Sequence, residues 1–145
     1  MSTNTFLFPD VNVWLALAHD IHPHHKSAAT WERSLPANAV LGFCRFTQLG
    51  LLRLLTNSAA MQDDVLTQAQ AWKAFDALLR LSTARMLEEP RGIESIFRTR
   101  SNREEVSTKQ WADAYLAAFA EAASLTLVTF DKALATQGNG AILLR

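Results

Sequence analysis

Short apolar runs alternate with stretches of helical periodicity along this chain, and that alternation limits its fold more than any other feature. The runs cover residues 5–8, 39–41, 84–87, 125–129 and 141–144. Between the first two, Val11, Leu15 and Ala18 fall on one helical face, and Pro23 suits the first turn of a second helix reaching about residue 35. Residues 44–55 align Cys44, Leu51, Leu52 and Leu55, and Thr56-Asn57-Ser58 ends that helix. Residues 68–81 turn Trp72, Phe75, Leu78 and Leu79 toward a core. A short helix is expected over 90–97, a polar loop over 98–109, a strong Ala-rich helix over 110–123 and a last short helix over 131–135. Strands joined through helices need crossover connections, so the expected fold is α/β: a three-layer α/β/α domain with a mostly parallel central sheet.

The 145 residues suit a single domain over 1–145, with a core large enough to need no disulfide or structural metal. The lone cysteine, Cys44, has no intramolecular partner. The start, MSTNTFLFPDVN, lacks the basic residues of a signal sequence, and no apolar run reaches the roughly 18 residues of a membrane helix. A soluble, cytoplasmic protein is expected. Fourteen basic residues balance 14 acidic ones, which argues against an extended non-specific grip on nucleic acid but leaves room for a local basic patch.

In parallel α/β sheets, ligands gather beyond the carboxyl ends of the strands. Asp10 follows the first run and Asp131 the fourth. Either alone reads first as a helix N-cap. Asp113 shifts the balance, because Leu116, Ala117 and Ala120 follow it at i+3, i+4 and i+7 on the face that should press on the sheet. A carboxylate left there without a partner costs several kcal/mol, unless it lies in an exposed first turn. Gln48 shares the stripe of Cys44, Leu51, Leu52 and Leu55, either as a structural amide or as a site residue.

These positions lie 38, 65 and 18 residues apart. FPDVNVWLALA with Asp10, FCRFTQLGLLRLL with Gln48, ADAYLAAFA with Asp113, and LVTFDKAL with Thr129 and Asp131 together resemble the four motifs of the PIN-domain family. HPHHKSAATWE resembles the matching segment of VapC-like toxins. The resemblance implies a metal-dependent endoribonuclease, the toxin of a type II toxin–antitoxin pair. It implies Asp10, Asp113 and Asp131 as catalytic and metal-binding acids for Mg²⁺ or Mn²⁺, with Asn12, Gln48 and Thr129 in support. A cognate VapB-like antitoxin, an RNA substrate and a homodimer are the partners it implies. Hard divalent cations take such oxygen donors, and a bound ion both activates water and offsets charge on a phosphate. Gln48 stands where most relatives place a glutamate, which leaves the site one charge weaker. Either this is tolerated, or Glu104 or Glu105 substitutes, or catalysis is impaired.

Arg98, Arg100, Arg103 and Lys109 form a candidate RNA-binding rim, diluted by Glu94, Glu104 and Glu105. His19, His22, His24 and His25 surround a helix break and read as structural or surface residues rather than a zinc site, which needs four convergent ligands. Two other readings compete: a catalytically weak PIN-fold protein that binds RNA or a partner, and a DNA-directed nuclease. A phosphoreceiver domain fits less well, since it wants an adjacent acidic pair after the first strand and only Asp10 is there.

Overall fold

The computed structural model describes residues 5–81 and 83–145. Residues 1–4, part of the stretch read above for a signal sequence, and residue 82 lie outside the described residues. Five strands form one sheet: β1 (Phe6–Pro9), β2 (Val40–Phe43), β3 (Ala84–Met86), β4 (Thr126–Thr129) and β5 (Ile142–Leu143). Their order is β3-β2-β1-β4-β5, and every pairing is parallel. From the central β1, the chain first builds outward through β2 and β3, then returns to the other side for β4 and β5. The reversal leaves a switch point between the carboxyl ends of β1 and β4, where open parallel sheets form their crevice.

Alternation along the strands sorts side chains into two cores. Leu7 and Val128 join Leu41 and Phe43 on one face, under α1 (Val11–Ala18), α3 (Arg45–Leu55) and α5 (Gln68–Leu79). α2 (His25–Arg33) adds Trp31 at the edge of this cluster, and α4 (Ser58–Met61) adds Met61. Phe8 and Leu127 face the other way, under α6 (Ile93–Ser101), α7 (Lys109–Ala122) and α8 (Lys132–Ala135). The expected three-layer α/β/α architecture is therefore what the chain adopts. Rings pin both layers: Phe8 stacks on Phe119 with centroids 4.7 Å apart, and Trp14 on Phe43 at 3.7 Å, with Phe75 edge-on to Phe43 at 4.9 Å. Ala114, Ala117, Ala118 and Ala120 are buried along α7, so that helix can lie close to the sheet.

Gly50 makes the approach of α3 to α1 possible, since a Cβ there would meet Val11 Cγ2 at 2.8 Å. α5 starts with reciprocal bonds: Thr67 Oγ1 accepts from Gln70 N at 3.1 Å, and Thr67 N donates to Gln70 Oε1 at 2.9 Å. Among the described residues no helix is long and apolar enough to cross a membrane.

Two sequence expectations need correction. Arg98 and Arg100 lie on α6, which runs to Ser101, so the polar loop spans only residues 102–108. Ser101 Oγ bonds Phe97 O at 2.6 Å and Arg98 bonds Glu94 one turn back, so the polar residues here line the outside of a helix. Trp72 is 48% exposed and meets the Phe75 ring edge-on. α3 ends at Thr56-Asn57-Ser58 as expected, and Asn57 Oδ1 then caps α4 by accepting from Ala59 N and Ala60 N.

Phe43→Ala should cost about 3–5 kcal/mol, because it empties the centre of the α1–α3–α5 core. Trp72→Ala should cost less than about 1.5 kcal/mol, as expected for a half-exposed ring. Urea unfolding of the two variants checks this, and equal losses would place Trp72 in the core after all.

Candidate functional site

Asp10 leaves β1 at the switch point and caps α1, its Oδ1 accepting from Val13 N at 3.1 Å. The Asp10 backbone N–H donates to Val128 O at 2.9 Å, which ties it to β4. Asp131 follows β4 by two residues and caps α8, its Oδ1 accepting from Ala133 N at 2.8 Å and Leu134 N at 3.4 Å. Both acids are thus the helix caps that the plain reading expected. Each cap occupies one oxygen and leaves Oδ2 free for other work.

Thr129 links those two acids. Its hydroxyl, fully buried, donates to Asp10 Oδ2 at 2.5 Å and accepts from Asp131 N at 2.9 Å. The third acid, Asp113, reaches the same place from α7 and is buried there. Its Oδ2 receives no hydrogen bond, and the charge nearest it is the Lys109 ammonium, 3.7 Å away. Lys109 Nζ also donates to Asp131 Oδ2 at 2.8 Å, so one ammonium bridges Asp113 and Asp131. Thr129 thus links Asp10 to Asp131, and Lys109 links Asp131 to Asp113, at the carboxyl edge of the sheet.

Burial chiefly pushes the Asp10 carboxyl above its ordinary range, against the hydrogen bonds from Thr129, Val13 and Asn12, and the Asp131 charge adds to the rise. Burial likewise raises Asp113; Lys109 opposes the rise and Asp131 reinforces it. Asp131 is lowered, first by the hydrogen bond from Lys109. The Lys109 ammonium is held above its ordinary value, first by its bond to Asp131 and then by the Asp113 charge. The Asp131 charge thus raises both buried carboxyls, and the Lys109 ammonium offsets the rise at Asp113.

The remaining candidates divide. Asn12 is exposed, and its backbone N–H rather than its side chain is what bears on Asp10. Gln48 is buried in the first turn of α3, where its Oε1 accepts from Arg45 Nη1. Its carbonyl is engaged by its own helix. Arg98 pairs with Glu94 at 2.7 Å, and Arg100 with Glu121 at 2.7 Å and Gln137 O at 2.6 Å. Glu121 lies two turns beyond Asp113, toward the opposite edge of the sheet. Arg103 bonds Arg100 O at 3.1 Å and Gln110 Oε1 at 3.4 Å. Of the four basic candidates, Lys109 alone bonds to the acids. Glu104 and Glu105 are exposed on the 102–108 loop, and the charges that bear on Asp113 are Lys109 and Asp131 instead. The histidines have other partners: His19 bonds Asp64 at 3.1 Å, His25 bonds Ala16 O at 2.7 Å, and His24 stacks on Phe130 at 4.4 Å.

The three carboxylates are the donor type a hard divalent cation prefers, and the unbonded Asp113 Oδ2 is a buried acceptor that such an ion would satisfy. In type, the residues fit Mg²⁺ or Mn²⁺. Among the described residues, however, no three His, Cys, Asp or Glu side chains stand close enough together to hold an ion as placed. The positive charge beside the acids is that of Lys109.

A carboxyl whose folded pKa is raised binds more protons in the folded than in the unfolded state. Stability then falls as pH rises from the ordinary value of 3.8 through the folded one. In metal-free buffer, Asp10 and Asp113 should therefore take stability away as pH rises across the acidic range, while the lowered Asp131 adds to it. The double variant Asp10→Asn/Asp113→Asn should lose less than wild type. Urea unfolding against pH checks this; parallel curves would mean that neither acid is destabilised by burial.

Comparison with known proteins agrees with this geometry. The PIN-domain family model matches residues 7–138. The chain is 42% identical over 139 residues to Ribonuclease VapC41 of Mycobacterium tuberculosis, a match covering 92% of this chain and 94% of that protein. In fold it resembles VapBC2 from Rickettsia felis bound to a promoter DNA fragment, with TM-score 0.68 at 13% identity over 94% of this chain and 96% of the other. It also resembles VapC20 of M. tuberculosis, a Sarcin-Ricin loop cleaving toxin, with TM-score 0.63 at 18% identity over 91% and 95%. Motif order, sequence identity and fold agree: the chain belongs to the PIN-domain family, in its VapC-like toxin–antitoxin branch.

Proposed function

We propose that the chain is an RNA-directed toxin that cleaves phosphodiester bonds with the help of a divalent cation held by Asp10, Asp113 and Asp131. The single observation that carries this is the meeting of three acids, two of them buried, at the β1/β4 switch point. The ribonuclease name of its 42% identical relative supports RNA as the polymer. A cognate VapB-like antitoxin and a cytoplasmic setting belong to the same reading.

When bound, Mg²⁺ or Mn²⁺ would supply an activated water and offset charge growing on the phosphate. The residues of the chain do the rest. Thr129 fixes the spacing between Asp10 and the start of α8 through its two hydrogen bonds. The backbone caps on Asp10 and Asp131 fix the orientation of each carboxylate, so that one oxygen of each is aimed away from its helix. The raised Asp113 and Asp10 carboxyls would also hold a proton more readily than free ones, until a cation restores their charge.

A second reading has specific support: a PIN-fold protein that binds RNA or a protein partner with little cleavage. Gln48 gives no charge and is engaged by Arg45, and the acids as placed form no ready-made metal cage. As the side chains stand, these two facts favour weak catalysis over a preformed metal centre. A DNA-directed nuclease would use the same acids.

Purified protein tested on single-stranded RNA and DNA, with Mg²⁺, Mn²⁺ or chelator, separates the three. The expected result is metal-dependent RNA cleavage that falls on the order of a hundredfold or more in Asp10→Asn and Asp113→Asn. Expression without the antitoxin should arrest growth, and the same variants should relieve the arrest. RNA binding without cleavage at any metal concentration would select the second reading.

A further inference from the structure

We propose that Lys109 is a tethered counter-cation: its ammonium holds the place between Asp113 and Asp131 that a divalent ion needs, and so sets how much metal the free protein requires. This rests on the reading of the acids as a cation site, and it concerns a residue that the sequence suggests as part of an RNA-binding rim.

The geometry carries it. Lys109 opens α7, one turn before Asp113 on the same helix, so the element that delivers the acid also delivers the ammonium. Nζ is 2.8 Å from Asp131 Oδ2 and 3.7 Å from Asp113 Oδ2. Those oxygens are the ones not used in capping, and Asp113 Oδ2 receives no hydrogen bond. A hard cation would seek the same two atoms. Lysine suits a displaceable occupant, being a compact charge on a flexible stem, and this side chain is 62% exposed, so it can swing into water. Arg98, Arg100 and Arg103 are bonded elsewhere and do not compete.

The ammonium offers a single charge, one hydrogen bond to Asp131 and a longer ion pair to Asp113, whereas a divalent ion would bring two charges to the acids. Exchange is therefore favourable once the ion is concentrated enough, and unfavourable below that. Removing the lysine should tighten ion binding by roughly the factor that one exposed ion pair contributes, about fivefold.

Mn²⁺ titration followed by water-proton relaxation, which reads binding without catalysis, compares wild type, Lys109→Met and Lys109→Arg. Lys109→Met should bind about fivefold more tightly, and Lys109→Arg within about twofold of wild type. Melting without metal should be lower for Lys109→Met than for wild type, with the gap closing as Mn²⁺ is added. Equal or weaker Mn²⁺ binding by Lys109→Met would overturn the proposal while leaving the cation site standing. No binding by any of the three proteins at millimolar Mn²⁺ would overturn the cation site and the proposal together.

Discussion

One hydroxyl holds the two halves of this fold's crevice together. Thr129 Oγ1 donates to the acid that ends β1 and accepts from the backbone of the acid that follows β4. Both strands are central, so the latch sits where the sheet is most rigid. It also sits at the switch point, where strand order reverses. The helices starting there begin at those acids, which makes capping and site formation a single event: α1 and α8 cannot be capped by Asp10 and Asp131 without bringing their carboxylates to the crevice.

That arrangement is costly. Asp10 and Asp113 are both buried, and burial is the largest influence on each carboxyl. Mixed capping and pairing offset the cost only in part: Asp10 has Thr129 and the α1 backbone, Asp131 has Lys109, and Asp113 has only a distant share of that ammonium. A fold selected for stability alone would bury apolar groups here. Two buried acids beside a third carry this cost, and Lys109 offsets part of it at Asp113 and Asp131.

Much of this was legible in the sequence. The alternation of runs and helices, with Asp10 and Asp131 directly after two of the runs, points to the parallel sheet and to its carboxyl edge. The i+3, i+4 and i+7 neighbours of Asp113 gave its burial. Lys109 as a member of the site was missed, although its signal was present: it lies four residues before Asp113 on one helix. Reading residues 98–109 as a loop hid that spacing. The partners of Arg100, Glu121 and the Gln137 carbonyl, come from remote segments, and no local pattern announces them. Trp72 fits an apolar stripe by spacing, but periodicity identifies a face and not how far that face is covered. Gln48 was placed correctly on a buried stripe; its bond to Arg45 depends on side-chain rotamers that sequence does not specify.

The central claim is that Asp10, Asp113 and Asp131 are held at the β1/β4 edge to receive a cation. Anomalous diffraction at the manganese edge, from crystals grown with Mn²⁺, tests it most directly. The expected result is one strong peak with direct bonds of about 2–2.6 Å to oxygens from at least two of these carboxylates, and with Lys109 Nζ withdrawn from between Asp113 and Asp131. A peak elsewhere on the molecule, with the Lys109 bridge intact, would contradict the account.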